Sequence, residues 1–440
     1  MDNNESVVVT GMAPICCLGI GSEAYWTNLL DGKSGIQRYE KVIDEISESK
    51  YRNLSAPVAG YISDFSAKDF VQPRKNIKIM GRDVQLGLAS GTMAIKQAQG
   101  ESDKCLSEQL SPERVGIDLG TTLVMSTISD MTDICNKALN CEGVDEPSKA
   151  ASLHKHWGDM FMDNILPLWM LKYLPNMAAC HIAITNNFQG PSNTIVLGDI
   201  GAMASIIEGT RIIQRDVADA MVVGGTGDYI DDFNWIRFDW FGCSHNWDDP
   251  EGACRPFDAQ RDGLVRAEAA GCLVLESESS AKKRGVEPLA KIRAWATCSE
   301  GANRYKIKGK SIQNCLKLAM QNAGIAPSDL SHINANGWGA IEEDAIEAQA
   351  IAQILPDVPV VAQKGGIGYA GSGSSAVEVI ATVLSLKNGI LPPSRNYSQF
   401  DPACPIPVVH GSPQPSDKRF AIKLTFDRNG AASAIVFEKV

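Results

Sequence analysis

The stretch GPSNTIVLGDIGAMASIIEGTRII (Gly190–Ile213) decides the fold. It reads as a short apolar strand over Thr194–Leu197, a glycine corner, and an apolar helix over Ala202–Arg215, with another strand over Ala220–Val223. A strand that is apolar throughout, rather than alternating, suits a sheet covered on both faces. The same grammar recurs along the chain. Strands are expected at Ser6–Thr10, Arg114–Leu119, Cys272–Leu275, Leu289–Trp295, Ser331–Asn334, Val358–Ala362, Phe420–Leu424 and Ala434–Phe437. Helices are expected at Ile312–Ala323, Glu342–Ile354 and Ala376–Lys387. Strands alternating with helices make the class α/β.

A weak internal symmetry extends this reading. Each half carries a glycine-rich turn into an apolar helix (Gly198–Ile213 and Gly368–Leu386). Each closes on two strands around a small-residue turn, near Gly263–Ser277 and Ile422–Glu438. We therefore expect a duplicated domain, with halves at 1–280 and 281–440, the first enlarged by insertions at about 37–80, 125–175 and 229–255. Trp157, Trp169, Trp235, Trp240 and Trp247 fall on these insertions and suggest apolar contact surface or packing under long loops.

The 440 residues carry 41 Lys and Arg against 52 Asp and Glu, a formal charge of −11. That balance argues against a general nucleic-acid or membrane-surface binder, whose affinity would rest on clustered cations. No apolar run has the length of a membrane span and the start MDNNESVVV has no signal-peptide pattern, so the expected compartment is the cytoplasm. Twelve cysteines are scattered without a CxxC pair, and the His154-Lys-His156 pattern has no further ligands beside it, so no metal or other cofactor is expected.

Six segments in one order then carry a resemblance: VVVTGMAPICCLG (Val7–Gly19), WTNLLDGKSGI (Trp26–Ile36), GPSNTIV (Gly190–Val196), DAMVVGG (Asp219–Gly225), RPFDAQRDGLV (Arg255–Val265) and DPACPIPVV (Asp401–Val409). Together they resemble β-ketoacyl-[acyl carrier protein] synthases, the condensing enzymes of the thiolase fold, from about residue 6 to the end. The resemblance implies a five-layer αβαβα architecture. It also implies chemistry from a cysteine at a helix N-terminus, which carries the acyl thioester, two histidines that assist malonyl decarboxylation, and a lysine.

Three of those four positions are changed. The cysteine position holds Asp199, and a carboxylate cannot form the thioester. The first histidine position holds Asn336, which donates a hydrogen bond but accepts no proton at neutral pH. In KGGIGYAGSGSSAVE the lysine is kept as Lys364, while the second histidine position holds Tyr369. The loop that carries a gatekeeping Phe in the family reads Asp427-Arg428-Asn429-Gly430, putting Arg428 where an acyl chain would pass. Scaffold residues Asp258, Arg261, Asp262, Gly263 and Glu268 keep the family pattern.

An intact frame around a replaced site resembles the chain-length factors, or ketosynthase β subunits, of type II polyketide synthases. Aspartate in place of their usual glutamine leaves open the partner subunits of aryl-polyene systems. The resemblance implies a subunit that is not catalytic alone. It would pair with an active ketosynthase through the strand Asn193–Leu197, meet acyl carrier protein mainly through that partner, and close the partner's acyl tunnel with Leu123, Met125 and Trp169. Two readings of Asp199 stand: a helix cap paired with Lys364 in a structural plug, or a carboxylate that decarboxylates malonyl groups with Asn336, Tyr369 and Lys364. The run Gly366-Ile-Gly368-Tyr-Ala-Gly371 spells a dinucleotide fingerprint, but no acidic residue for a ribose follows it, so we read its glycines as packing positions.

Overall fold

The computed structural model describes residues 5–39, 55–122, 128–139, 149–165, 167–239, 242–301 and 307–440. Ten strands form the body of one large mixed sheet: β1 (Val7–Cys16), β2 (Val115–Thr121), β3 (Ser192–Val196), β4 (Ala220–Asp228), β5 (Arg266–Ser277), β6 (Ala290–Ser299), β7 (Leu330–Asn334), β8 (Val360–Val361), β9 (Phe420–Phe426) and β10 (Ala431–Glu438). They correspond to the ten apolar runs. β1 is longer than expected, continuing through a bulge between Val9 and Gly11, and β8 is cut to two residues.

Their spatial order is β8-β7-β9-β10-β6-β1-β5-β4-β2-β3. Read outward from the centre, β1, β5 and β4 pair antiparallel, and β4, β2 and β3 pair parallel. On the other side β6, β10 and β9 pair antiparallel, and β9, β7 and β8 pair parallel. One five-strand pattern is thus repeated, and the two copies meet where Val7–Val9 of β1 pair with Ala290–Ile292 of β6.

Six helices set the layers: α1 (Arg82–Ala98), α2 (Met177–Asn186), α3 (Gly201–Gln214), α4 (Lys310–Ala323), α5 (Ile341–Ile354) and α6 (Ser372–Asn388). α1 and α2 cover the outer face of the first half, α4 and α5 the outer face of the second. α3 and α6 share a core with strands of both halves and form the middle layer. The result is the five-layer arrangement.

α6 is small or apolar on every side, the pattern of a helix with no solvent face, and every residue from Ser372 to Leu386 is buried. Each Val, Leu or Ile so enclosed contributes about 1.5–3 kcal/mol. Its close seat on β5 depends on glycine. A Cβ on Gly373 would stand 2.1 Å from Ala269 O, and one on Gly271 2.8 Å from the Ala376 backbone. Among the described residues no helix is long and apolar enough to cross a membrane, and no group of His, Cys, Asp and Glu is placed to hold a metal ion.

Candidate functional site

The middle layer delivers the site. β3 ends in a tight turn, Gly198–Ile200, that feeds α3, and Gly198 takes a positive φ of 53° that a side chain would disfavour. Asp199 therefore enters at the buried end of α3, where the Ser375 hydroxyl of α6 donates to its backbone carbonyl at 2.8 Å and the Ser372 hydroxyl donates to the carbonyl of Gly198. Its carboxylate does not cap α3, which has no side-chain cap, and does not meet Lys364. It accepts the Tyr369 hydroxyl at 3.0 Å through Oδ2, and among the described residues its Oδ1 has no hydrogen-bond partner. Burial pushes the Asp199 pKa up to about 7, against the pull of Lys364 and the Tyr369 hydrogen bond.

The expected Asp199–Lys364 pair is thus corrected, because a nearer anion claims the lysine. Lys364 Nζ donates to Glu378 of α6 at 2.6 Å and to the main-chain and side-chain oxygens of Asn336 at 2.8 and 3.0 Å. Glu378 also holds Lys423 of β9 at 2.7 Å, and all three side chains are fully buried. Burial pushes the Lys423 pKa down to about 8 while Glu378 pulls it up. Asn336 is committed at both ends of its amide, since Nδ2 donates to Phe426 O at 3.1 Å. Glu347 of α5 accepts the backbone N–H groups of Asn336 and Gly337 at 2.7 and 2.8 Å, fixing the loop after β7.

Above Asp199 the space is filled by rings. Tyr369 lies 5.3 Å from Tyr229 and 5.8 Å from Trp338, centroid to centroid, and Trp338 stacks on Phe426 at 5.0 Å. Arg428 closes the outside of this cluster, its guanidinium 5.1 Å from the Trp338 centroid and its Nε 2.6 Å from Glu343. The charge foreseen in the gate loop is present, but it is pinned to an indole and a carboxylate.

Asp199, Asn336, Tyr369, Lys364 and Arg428 are therefore gathered in one region. Trp169 is elsewhere, in a half-buried aromatic group with Phe161 (5.4 Å) and Tyr173 (5.5 Å), beside exposed Met162, Leu168 and Met170. Leu123 and Met125 lie outside the described residues. The sequence reading missed Glu378, Lys423, Glu347, Tyr229 and Glu343. For the first two a signal existed: a single charge in each of the apolar stretches SSAVEVIATVL and FAIKLTF. The glycines of the dinucleotide-like run are filled from the protein itself. A Cβ on Gly366 would meet Lys33 O at 2.8 Å, and one on Gly371 the Tyr229 ring at 2.8 Å.

Comparison with known proteins places this geometry. Residues 4–281 match the family "Beta-ketoacyl synthase, N-terminal domain" and residues 289–398 "Beta-ketoacyl synthase, C-terminal domain". A 3-oxoacyl-[acyl-carrier-protein] synthase 2 from Staphylococcus aureus (strain COL) is 27% identical, over 100% of this chain and 99% of its own. The protein of that name from Mycobacterium leprae (strain TN) is 29% identical, over 98% and 96%. Among solved structures, the ishigamide ketosynthase/chain length factor superposes with a TM-score of 0.84 at 24% identity, covering 99% of this chain and 100% of that one. A type II polyketide synthase acyl-carrier protein in complex with its ketosynthase bound to the hexaketide gives 0.81 at 23% identity, covering 99% and 100%.

Proposed function

The chain belongs to the β-ketoacyl synthase family, and on that premise we propose that it is a non-catalytic ketosynthase-like subunit of the chain-length-factor kind. In this reading it forms a heterodimer with an active ketosynthase and shapes that partner's acyl tunnel in type II polyketide or aryl-polyene biosynthesis. Acyl carrier protein meets the complex mainly through the active subunit. Leu123, Met125 and Trp169 are the proposed tunnel wall.

One observation carries the proposal. The helix end that must present a thiolate presents the Asp199 carboxylate, bonded to Tyr369 and lying under packed rings. A carboxylate at that point has no route to an acyl thioester. The replacements at 336 and 369 also take away the two imidazoles that would donate to an enolate oxygen. The solved ketosynthase/chain length factor of similar shape supports the pairing.

A second reading has one feature in its favour: the bare Oδ1 of Asp199, on a carboxyl that titrates near neutrality. There the site would release CO₂ from malonyl carrier protein. The two readings part in one experiment. Purified alone and together with the cysteine-bearing ketosynthases of its host, the chain is expected to form a stable heterodimer and to release no CO₂ by itself. A homodimer that decarboxylates malonyl carrier protein and loses that activity in Asp199→Ala overturns the proposal.

A further inference from the structure

Asp118 sits on β2 between Gly116 and Gly120, and residues two apart on a strand share a face. A Cβ on Gly120 would stand 2.2 Å from Ala202 N, at the start of α3, so this face of β2 looks toward α3. In the parallel register Asp118 lies beside Asn193 of β3, the outermost strand. The Asp118 side chain is 0% exposed, and among the described residues neither carboxylate oxygen has a close hydrogen-bond partner, the Asn193 amide beside it being the one polar group that favours its charge. Burial pushes its pKa up to about 7, Glu208 of α3 adds to the rise, and the Asn193 amide offsets part of it. Glu208 has its own cation in Arg215 at 3.0 Å, and among the described residues no ion pair serves Asp118. An interior carboxylate left this way is a net cost to the isolated chain.

Its two polar neighbours both face outward. Asn193 and Glu208 line an open cleft of about 630 Å³ that runs between β3 and α3 on one side and Trp295 and Leu318 on the other. The cleft borders the sheet's open edge, where Asn193 is exposed, lines the cleft and lies beside Asp118 in the register.

We propose that this cleft receives a lysine or arginine side chain from the ketosynthase subunit whose edge strand pairs with β3, with Asp118 as its acceptor. The inference rests on the heterodimer reading and specifies the chemistry of the partner. Asn193 turns aside, the carboxylate gains its counter-ion, and water leaves the cleft. A second copy of this chain brings another Asp118 and only the Arg211 that already lines the cleft, so the device favours an unlike partner that supplies a further cation.

Asp118→Asn tests this because it keeps the shape and removes the charge. The expected result is two shifts of opposite sign. The isolated chain melts at a higher temperature, and its complex with the host's cysteine-bearing ketosynthase dissociates at least about tenfold more readily and with less salt dependence. Asp118→Ala repeats the affinity measurement should the amide fold poorly. Wild-type and variant complexes of equal affinity, or an isolated variant destabilised along with its complex, overturn the proposal and leave the heterodimer reading standing. A wild-type chain that binds no such ketosynthase overturns both.

Discussion

The two outer edges of the sheet occupy equivalent places in the repeated pattern and are finished differently. β8 is sealed by the chain itself: Val360 N–H donates to Pro407 O at 2.9 Å, and Val409 N–H returns to Val360 O at 2.8 Å. β3 ends the sheet with Ser192, Asn193 and Val196 exposed, Leu197 next to them is 49% exposed, and Ile184 of the neighbouring α2 is 76% exposed. Bare edge strands are templates for pairing, which proteins usually cover or charge. Buried carboxylates are paired in both halves, Glu268 with Arg82 at 2.6 Å and Glu378 with Lys364 at 2.6 Å, while among the described residues Asp118 has no ion pair and Asp199 Oδ1 has no hydrogen-bond partner. The contrast therefore lies in the edges: one is covered by a loop of the same chain, and the other is exposed.

Three variants break or sharpen that contrast. Glu378→Gln leaves Lys364 and Lys423 buried with no anion between them, and the isolated chain is expected to lose about 3–5 kcal/mol in urea denaturation. An unchanged midpoint would mean that Glu378 is not what holds the two lysines. Next, Val196→Asp with Leu197→Asp charges the open edge. The isolated chain should keep its stability within about 0.5 kcal/mol, while binding to the ketosynthase falls at least about 100-fold, or about 2.8 kcal/mol. Sedimentation of the mixed subunits reads this, and undiminished association places the interface elsewhere.

The smallest effect concerns Asp199, whose carboxyl is raised to about 7 in the fold against an ordinary value near 4. Between those values the folded chain holds a proton that the unfolded chain has released. The stabilisation is therefore complete below the lower value and lost as pH rises through about 7. Asp199→Asn cannot ionise, so its stability relative to wild type should improve by about 2–3 kcal/mol from pH 5 to pH 8. Lys423, also perturbed, is common to both proteins and cancels in the difference. Parallel pH profiles would mean that Asp199 is not the buried acid described.

Asp199, Asn336, Tyr369 and Arg428 were legible as residue types because the glycine-rich stretches around them locate a strand end and a helix start. Their partners were not. Asp199 was expected to cap α3 or to meet Lys364, yet Tyr369 reaches it first, and Glu378, nearly two turns into α6, takes the lysine. Arg428 was legible as a charge in its loop, while its seat on Trp338 and Glu343 depends on a loop and a helix brought together by the fold. Asp118 was simply a polar residue in a strand. Nothing local marks which face of β2 lies beneath α3.

By itself the sequence determined the repeated strand and helix order and the residue types Asp199, Asn336 and Tyr369, since periodicity and residue identity are local properties. Only the tertiary structure decided which charges are paired, which edge is left open and what fills the space above Asp199. Those outcomes depend on distances and desolvation between segments far apart in the chain, and a change of about one ångström in a buried contact decides which partner an ion takes.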